Sequence, residues 1–158
     1  VIPCIAVGLT LVGGGAYAAT ATTTFTVSAT IAATCIINSA SNLNFGSVGV
    51  LSANVDQTST ISVQCTNTTG YNIGLDAGTG TGASVATRKL TNGAVTINYT
   101  LYSDPSHSTV WGNTVSTDTV AATGNGAAQS YTVYGRIPAQ TTPAPNAYSD
   151  TITVTVTY

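Results

Sequence analysis

The sequence predicts an all-β sandwich, and three observations carry that prediction. Short runs of alternating apolar and polar residues recur along the chain, and such alternation places one residue set on each face of a strand. Turn-forming segments rich in Gly, Asn, Ser and Thr separate these runs, among them 67–70, 78–83, 104–108 and 122–128. No window carries a sustained 3.6-residue apolar repeat of the kind an amphipathic helix needs. Several short strands at turn-punctuated intervals read as a sandwich.

Taken in order, the first run is Phe25, Val27, Ala29 and Ile31, alternating with Thr26, Ser28 and Thr30. Ile61, Val63 and Cys65 form one inward face, and Tyr71, Ile73 and Leu75 another. Val95, Ile97, Tyr99 and Leu101 form a longer one. In the next, Tyr131, Val133, Gly135 and Ile137 point inward while Tyr134 and Arg136 point outward. β-Branched residues and Tyr dominate these runs, which suits a pleated, half-buried surface. Pro138, Pro143 and Pro145 hold the following stretch out of regular pairing. The last run, 151–158, sets Ile152, Val154, Val156 and Tyr158 against Thr151, Thr153, Thr155 and Thr157, with Asp150 at its start. A strand at a chain end must find a neighbour or remain an open edge that pairs with other chains. The two terminal runs therefore point to a subunit that polymerises by lending a strand.

Composition narrows the function classes. The chain has 158 residues, 43% hydrophobic and only 5% charged, with a net charge of −2. That is a one-domain length, enough to bury roughly two-thirds of the unfolded surface. Three basic residues, Arg88, Lys89 and Arg136, cannot form the clustered positive patch that nucleic acid requires, so no nucleic-acid partner is expected. Surfaces with so little charge associate readily.

Residues 1–18 are apolar and small and end Ala16-Tyr17-Ala18, which reads as the cleavage end of a secretion signal lacking its charged start. The triple glycine 13–15 and the short apolar length argue against a membrane-spanning helix. Cys4 lies in this segment, leaving Cys35 and Cys65. An oxidising compartment favours pairing them, worth roughly 3–4 kcal/mol on chain entropy; two buried thiols are the alternative. One histidine, His107, and two thiols do not make a zinc site, and no metal or cofactor is expected.

Motifs with catalytic overtones resolve as turns. Gly78-Thr79-Gly80-Thr81-Gly82 is not G-x-G-x-x-G, and neither a Lys-Ser/Thr pair nor a helix follows it, so it reads as a flexible hairpin loop. Asp104-Pro105-Ser106-His107 has the residue types of a hydrolase triad, but four adjacent turn residues do not supply its geometry. The five Asp are scattered rather than paired as glycosidases need. Trp111, the single Trp, reads as core rather than as a sugar platform. The sequons at Asn67 and Asn98 are expected by chance in a Thr-rich chain. No catalytic residues are assigned.

The order of short signatures resembles the spore coat protein U domain, the subunit fold of archaic chaperone–usher pili. The matching pieces are FTVSATIAATC (25–35), LNFG (43–46), ISVQC (61–65), YNIGLDAG (71–78), INYTLYSDPS (97–106), YGRIPAQ (134–140) and YSDTITVTVTY (148–158). The resemblance implies an incomplete immunoglobulin-like sandwich lacking its last strand, completed by a donor strand from a neighbouring subunit. It implies a homopolymeric pilus subunit, not an enzyme. A periplasmic chaperone would fill the groove first, and donor-strand exchange would follow at an outer-membrane usher. The subunit would travel through the periplasm to an adhesive pilus on the cell surface.

The same resemblance distributes roles. Residues 1–18 become the secretion signal, 19–30 the donor strand and 31–158 the sandwich. Phe25, Val27, Ala29 and Ile31 are the donor face, although Ile31 could instead begin the subunit's own first strand. Cys35 and Cys65 match the family's disulfide positions. Ile61, Val63, Tyr131, Val133, Ile152, Val154 and Val156 are groove and core residues, and Tyr158 is the chaperone-anchoring end. A secreted coat or matrix protein of the same fold and a carbohydrate-binding adhesin are the competing readings.

Overall fold

The computed structural model describes residues 14, 15 and 17–158. The chain divides into two units, with the break between Thr30 and Ile31. In the first, the described residues carry neither helix nor strand. Most of the leader expected over 1–18 lies outside the described residues.

The second unit, Ile31–Tyr158, holds eight strands: β1 (Cys35–Ala40), β2 (Val55–Cys65), β3 (Gly70–Leu75), β4 (Arg88–Asn92), β5 (Val95–Tyr102), β6 (Val120–Thr123), β7 (Ala128–Ile137) and β8 (Val154–Thr157). They form a five-stranded sheet in the order β1-β2-β7-β5-β4 and a three-stranded sheet in the order β6-β3-β8. All pairings are antiparallel. No α-helix occurs among the described residues.

Alternation explains the inner faces. Ile61, Val63 and Cys65 of β2, Tyr71, Ile73 and Leu75 of β3, Tyr99 and Leu101 of β5, and Val133 and Ile137 of β7 are buried together around Trp111. Trp111 sits in the core, as its lone occurrence suggested, and its indole N–H donates to the Ile73 carbonyl at 2.8 Å. At one end of the core Tyr71 and Tyr131 meet edge to face, their hydroxyls 2.5 Å apart, joining β3 to β7 across the sheets. At the same end Cys35 and Cys65, directly opposite in the β1–β2 register, form a disulfide.

Four features differ from the sequence reading. The final strand begins at Val154, not at 151, because Asp150 and Asp76 draw the backbone N–H groups of Thr151 and Thr153 into side-chain hydrogen bonds. The alternative that Ile31 begins the subunit's first strand does not hold, since β1 begins at Cys35. β4 and β6 had no clear signature: β4 opens on two cations, and β6 is a four-residue Val-Ala-Ala-Thr edge. The Gly78–Gly82 loop is anchored rather than free, since the Thr79 N–H and hydroxyl both donate to Asp150 and the Lys89 ammonium donates to the Thr81 carbonyl.

The Asp104–His107 segment is the expected turn, with Asp104 accepting from Ser106 and Ser108 and from the Thr109 N–H. On the outer face, Asp56 and Arg136 stand opposite each other in the β2–β7 register and pair bidentately at 2.7 Å.

Candidate functional site

The two sheets are unequal, and the difference creates the site. β8 bonds to β3 on one side only and ends the three-stranded sheet. β1 ends the five-stranded sheet. β1 and β8 lie against each other at the same side of the sandwich, so both edges there are unpaired. An unpaired edge leaves a row of backbone N–H and C=O groups without ladder partners.

The side chains register the same gap. Ile37 stands opposite Val63, whose side chain is wholly buried, so Ile37 points to the inner face; it is nonetheless 41% exposed. Along the C-terminal run Ile152, Val154 and Val156 pack against the core but stay only half-buried. An inner-face position left exposed to this degree lacks a covering layer.

Two adjoining cavities occupy the opening. The first, about 550 Å³, lies between Ile152 and Val154 on one wall and segment 40–45 on the other, floored by Ile61, Tyr99, Leu101 and Val133. The second, about 650 Å³, runs on between segments 43–51 and 142–150. Leu43, Asn44, Phe45, Leu90 and Asp150 line both. Segment 41–45 reaches this position because β7 carries Gly135 beneath it: a Cβ there would lie 2.6 Å from Leu43 Cδ1. Phe45 then meets Tyr99 edge to face.

Polar side chains brace the same end. Asp150 accepts from Thr79, from its neighbour Thr151 and from the Tyr99 hydroxyl, the last at 2.8 Å. Burial, with the Asp150 hydrogen bond and charge added, holds the Tyr99 phenol far above its ordinary pKa, so it remains a neutral donor. Gly78 is required beside it: its φ of +79° suits glycine, and a Cβ would fall on Asp150 Oδ2. Arg88 is wholly buried. Its guanidinium donates to the carbonyls of Leu75, Asp76, Val85 and Trp111 at 2.7–2.9 Å, tying β4 to the end of β3. Burial lowers its pKa, opposed by nearby negative charges including Asp76 and Asp150.

The predicted site residues fall into three groups. Ile61, Val133, Ile152 and Val154 line the first cavity. Val63 lies buried under β1, Tyr131 is bound to Tyr71, and Val156 sits on β8 opposite Ile73, so these three flank the cavities rather than line them. Phe25, Val27 and Ile31 are more than four-fifths exposed, Ala29 is exposed too, and Tyr158 is 60% exposed beyond β8. Sequence reasoning gave no place at the site to Ile37, Leu43, Phe45, Leu90 or Arg88, and to Asp150 only a structural one at the start of the last strand. The Leu43–Gly46 signature marked the covering segment without revealing its place; nothing local marks Arg88 as buried. Among the described residues no cluster of His, Cys, Asp or Glu could hold a metal.

This geometry defines a class: a two-sheet β-sandwich with a cleft along an unfinished edge that opens onto its core. The Spore Coat Protein U domain model matches residues 21–155, and the chain belongs to that family. Among solved structures, the CsuC-CsuE chaperone-tip adhesion subunit pre-assembly complex from archaic chaperone-usher Csu pili of Acinetobacter baumannii contains a similar chain. The TM-score is 0.61 at 19% identity, over 82% of this chain and 41% of that one. At this identity the likeness is one of fold, and this chain spans about two-fifths of the other's length. No curated protein sequence matches the chain.

Proposed function

We propose that this protein is a structural subunit of a chaperone–usher surface pilus, and that it polymerises by donor-strand exchange. The single observation that supports this most is the unpaired β8 edge beside a cleft floored by core side chains, with inner-face residues left partly exposed. In the same chain, an N-terminal run with the complementary alternation stands exposed. Addition of a strand to a sheet edge is an established recognition mode, with pilins among its known users. Main-chain hydrogen bonds along β8 supply attachment, and alternate side chains supply specificity. Phe25 and Val27 each release roughly 1.5–3 kcal/mol if fully buried.

On this reading residues 19–30 act in the next subunit's fold and 31–158 form the subunit body, with 1–18 a secretion signal. A periplasmic chaperone occupies the cleft until the usher brings in the next copy's segment, and Tyr158, at the exposed end of β8, is the chaperone's anchor. The likeness in fold to a chain of a chaperone–subunit complex supports a chaperone partner. Transit through the periplasm and display on the cell surface follow from the same reading.

Deletion of residues 19–30 tests it. The expected product is a chaperone-bound monomer that forms no fibres; normal filaments from the deletion would overturn the reading. A non-fibrous coat protein of the same fold predicts amorphous or monomeric material by electron microscopy instead.

A further inference from the structure

Two Asn-Gly pairs occur in the chain, Asn92-Gly93 between β4 and β5 and Asn125-Gly126 between β6 and β7. Glycine has no Cβ to shield its own N–H, so that nitrogen can attack the side-chain carbonyl carbon of the preceding asparagine. The attack closes a five-membered succinimide and expels the side-chain nitrogen as ammonia. Water then opens the ring to aspartate or isoaspartate. The step needs a backbone N–H free to lose its proton and an asparagine backbone free to rotate.

The fold holds the two pairs differently. Around Asn125 the backbone is clamped on both sides. The Thr68 N–H donates to the Gly124 carbonyl and the Gly124 N–H to the Thr69 carbonyl, at 2.9 and 2.8 Å. The Gly126 N–H, which would have to attack, donates to the Cys65 carbonyl at 3.1 Å, and the Gln64 side-chain amide donates to the Gly126 carbonyl at 2.9 Å. A Cβ on Gly124 would fall 2.3 Å from the Thr66 carbonyl oxygen, so the segment has little room to shift. Asn92, by contrast, ends β4 and leads into the two-residue turn Gly93-Ala94. Gly93 takes a φ of +59°, and no atom lies within 4 Å of the Cβ it lacks. Its N–H has no acceptor among the described residues. Asn92 and Val95 form the last rung of their ladder, where local opening is easiest. Exposure alone would rank the pairs the other way, since Asn125 is exposed and Asn92 half-buried.

The Asn92 side chain also has a structural task. Its Nδ2 donates to the Ala147 carbonyl at 2.8 Å, and the Asn146 amide donates to its Oδ1. Beside it, Thr91 and Ser149 exchange backbone hydrogen bonds at 2.8 and 3.2 Å. These contacts lay segment 146–149 along β4, the outer edge of the five-stranded sheet, and the same segment walls the second cavity. A carboxylate at position 92 has no donor for the Ala147 carbonyl and sets one acceptor against another.

We propose that Asn92 is a site of spontaneous deamidation, and that its product releases segment 146–149 from the β4 edge. The inference stands independently of strand donation.

The test incubates the folded chain in mildly alkaline buffer beside a sample unfolded in urea, and follows both asparagines by peptide mass spectrometry and isoaspartate labelling. In the folded chain Asn92 is expected to convert about threefold faster than Asn125 or more, because the clamp on Asn125 must break first. In urea the two rates are expected to converge. Equal rates in the folded chain, a faster Asn125, or a folded Asn92 that stays intact while the urea sample converts would each overturn the site. Hydrogen exchange tests the consequence. Asn92→Asp is expected to speed amide exchange at Thr91 and Ser149 about threefold or more and to leave the β2–β7 amides unchanged. Parent-like exchange at Ser149 in that variant would overturn the release.

Discussion

Arg88 shows how one side chain holds the open end of the sandwich in shape. Its four carbonyl partners belong to Leu75, Asp76, Val85 and Trp111. Arg88→Met is expected to cost at least about 3 kcal/mol, because buried carbonyls lose their donors. Arg88→Lys is expected to be nearly as harmful, since an ammonium has three donors and no planar fork. Denaturant unfolding checks both. Asp76 adds a pH dependence. Burial alone would raise its pKa, but hydrogen bonds from Thr153 and Gly78 and the charge of Arg88 outweigh it and hold the carboxyl below its ordinary 3.8. Asp56 is lowered as well, chiefly by its hydrogen bonds with Arg136. A depressed folded-state pKa gives stability that is present above the unfolded value and lost as pH falls through the folded one. Stability is therefore expected to decline on acidification below about pH 4, and Asp76→Asn to flatten that limb; an unchanged acid limb would contradict the assignment.

At the scale of elements, the disulfide and the two edge strands carry the argument. Cys35 and Cys65 close a separation of 30 residues, so the Cys35→Ser, Cys65→Ser double variant is expected to lose roughly 3–4 kcal/mol by unfolding, with β1 the first strand to exchange its amides. In the cleft, Val154→Asp places a charge where the proposed incoming strand lies, and it is expected to leave a folded monomer that does not assemble. Phe25→Asp is expected to do the same from the donor side. The inner faces of β2, β3, β5 and β7 were legible in the sequence because each is a half-buried strand with clean alternation, from Ile61 through Ile137, except at the start of β5, where Val95, read as inward, is exposed. β4 was not, because Arg88 and Lys89 look like a solvated turn, and only the surrounding carbonyls make the buried guanidinium tolerable. The cleft walls were legible only where they are strands: Ile152 and Val154 follow period 2. Leu43, Phe45 and Asp150 reach the cleft through irregular backbone that no local pattern describes.

At the scale of the whole molecule, the sandwich has one side on which neither sheet is finished and a chain segment with the complementary pattern that its described structure leaves exposed. The low charge fits repeated self-contact. On the proposed reading, strand donation to the next copy closes the edge of every subunit but the last and turns an aggregation hazard into a directed, head-to-tail contact. An electron cryo-microscopy map of the assembled fibre tests this most directly. The account predicts that residues 19–30 of one subunit run beside β8 of the next, with Phe25 and Val27 facing its core. A fibre whose subunits keep that cleft empty, or fill it with their own chain, would contradict it.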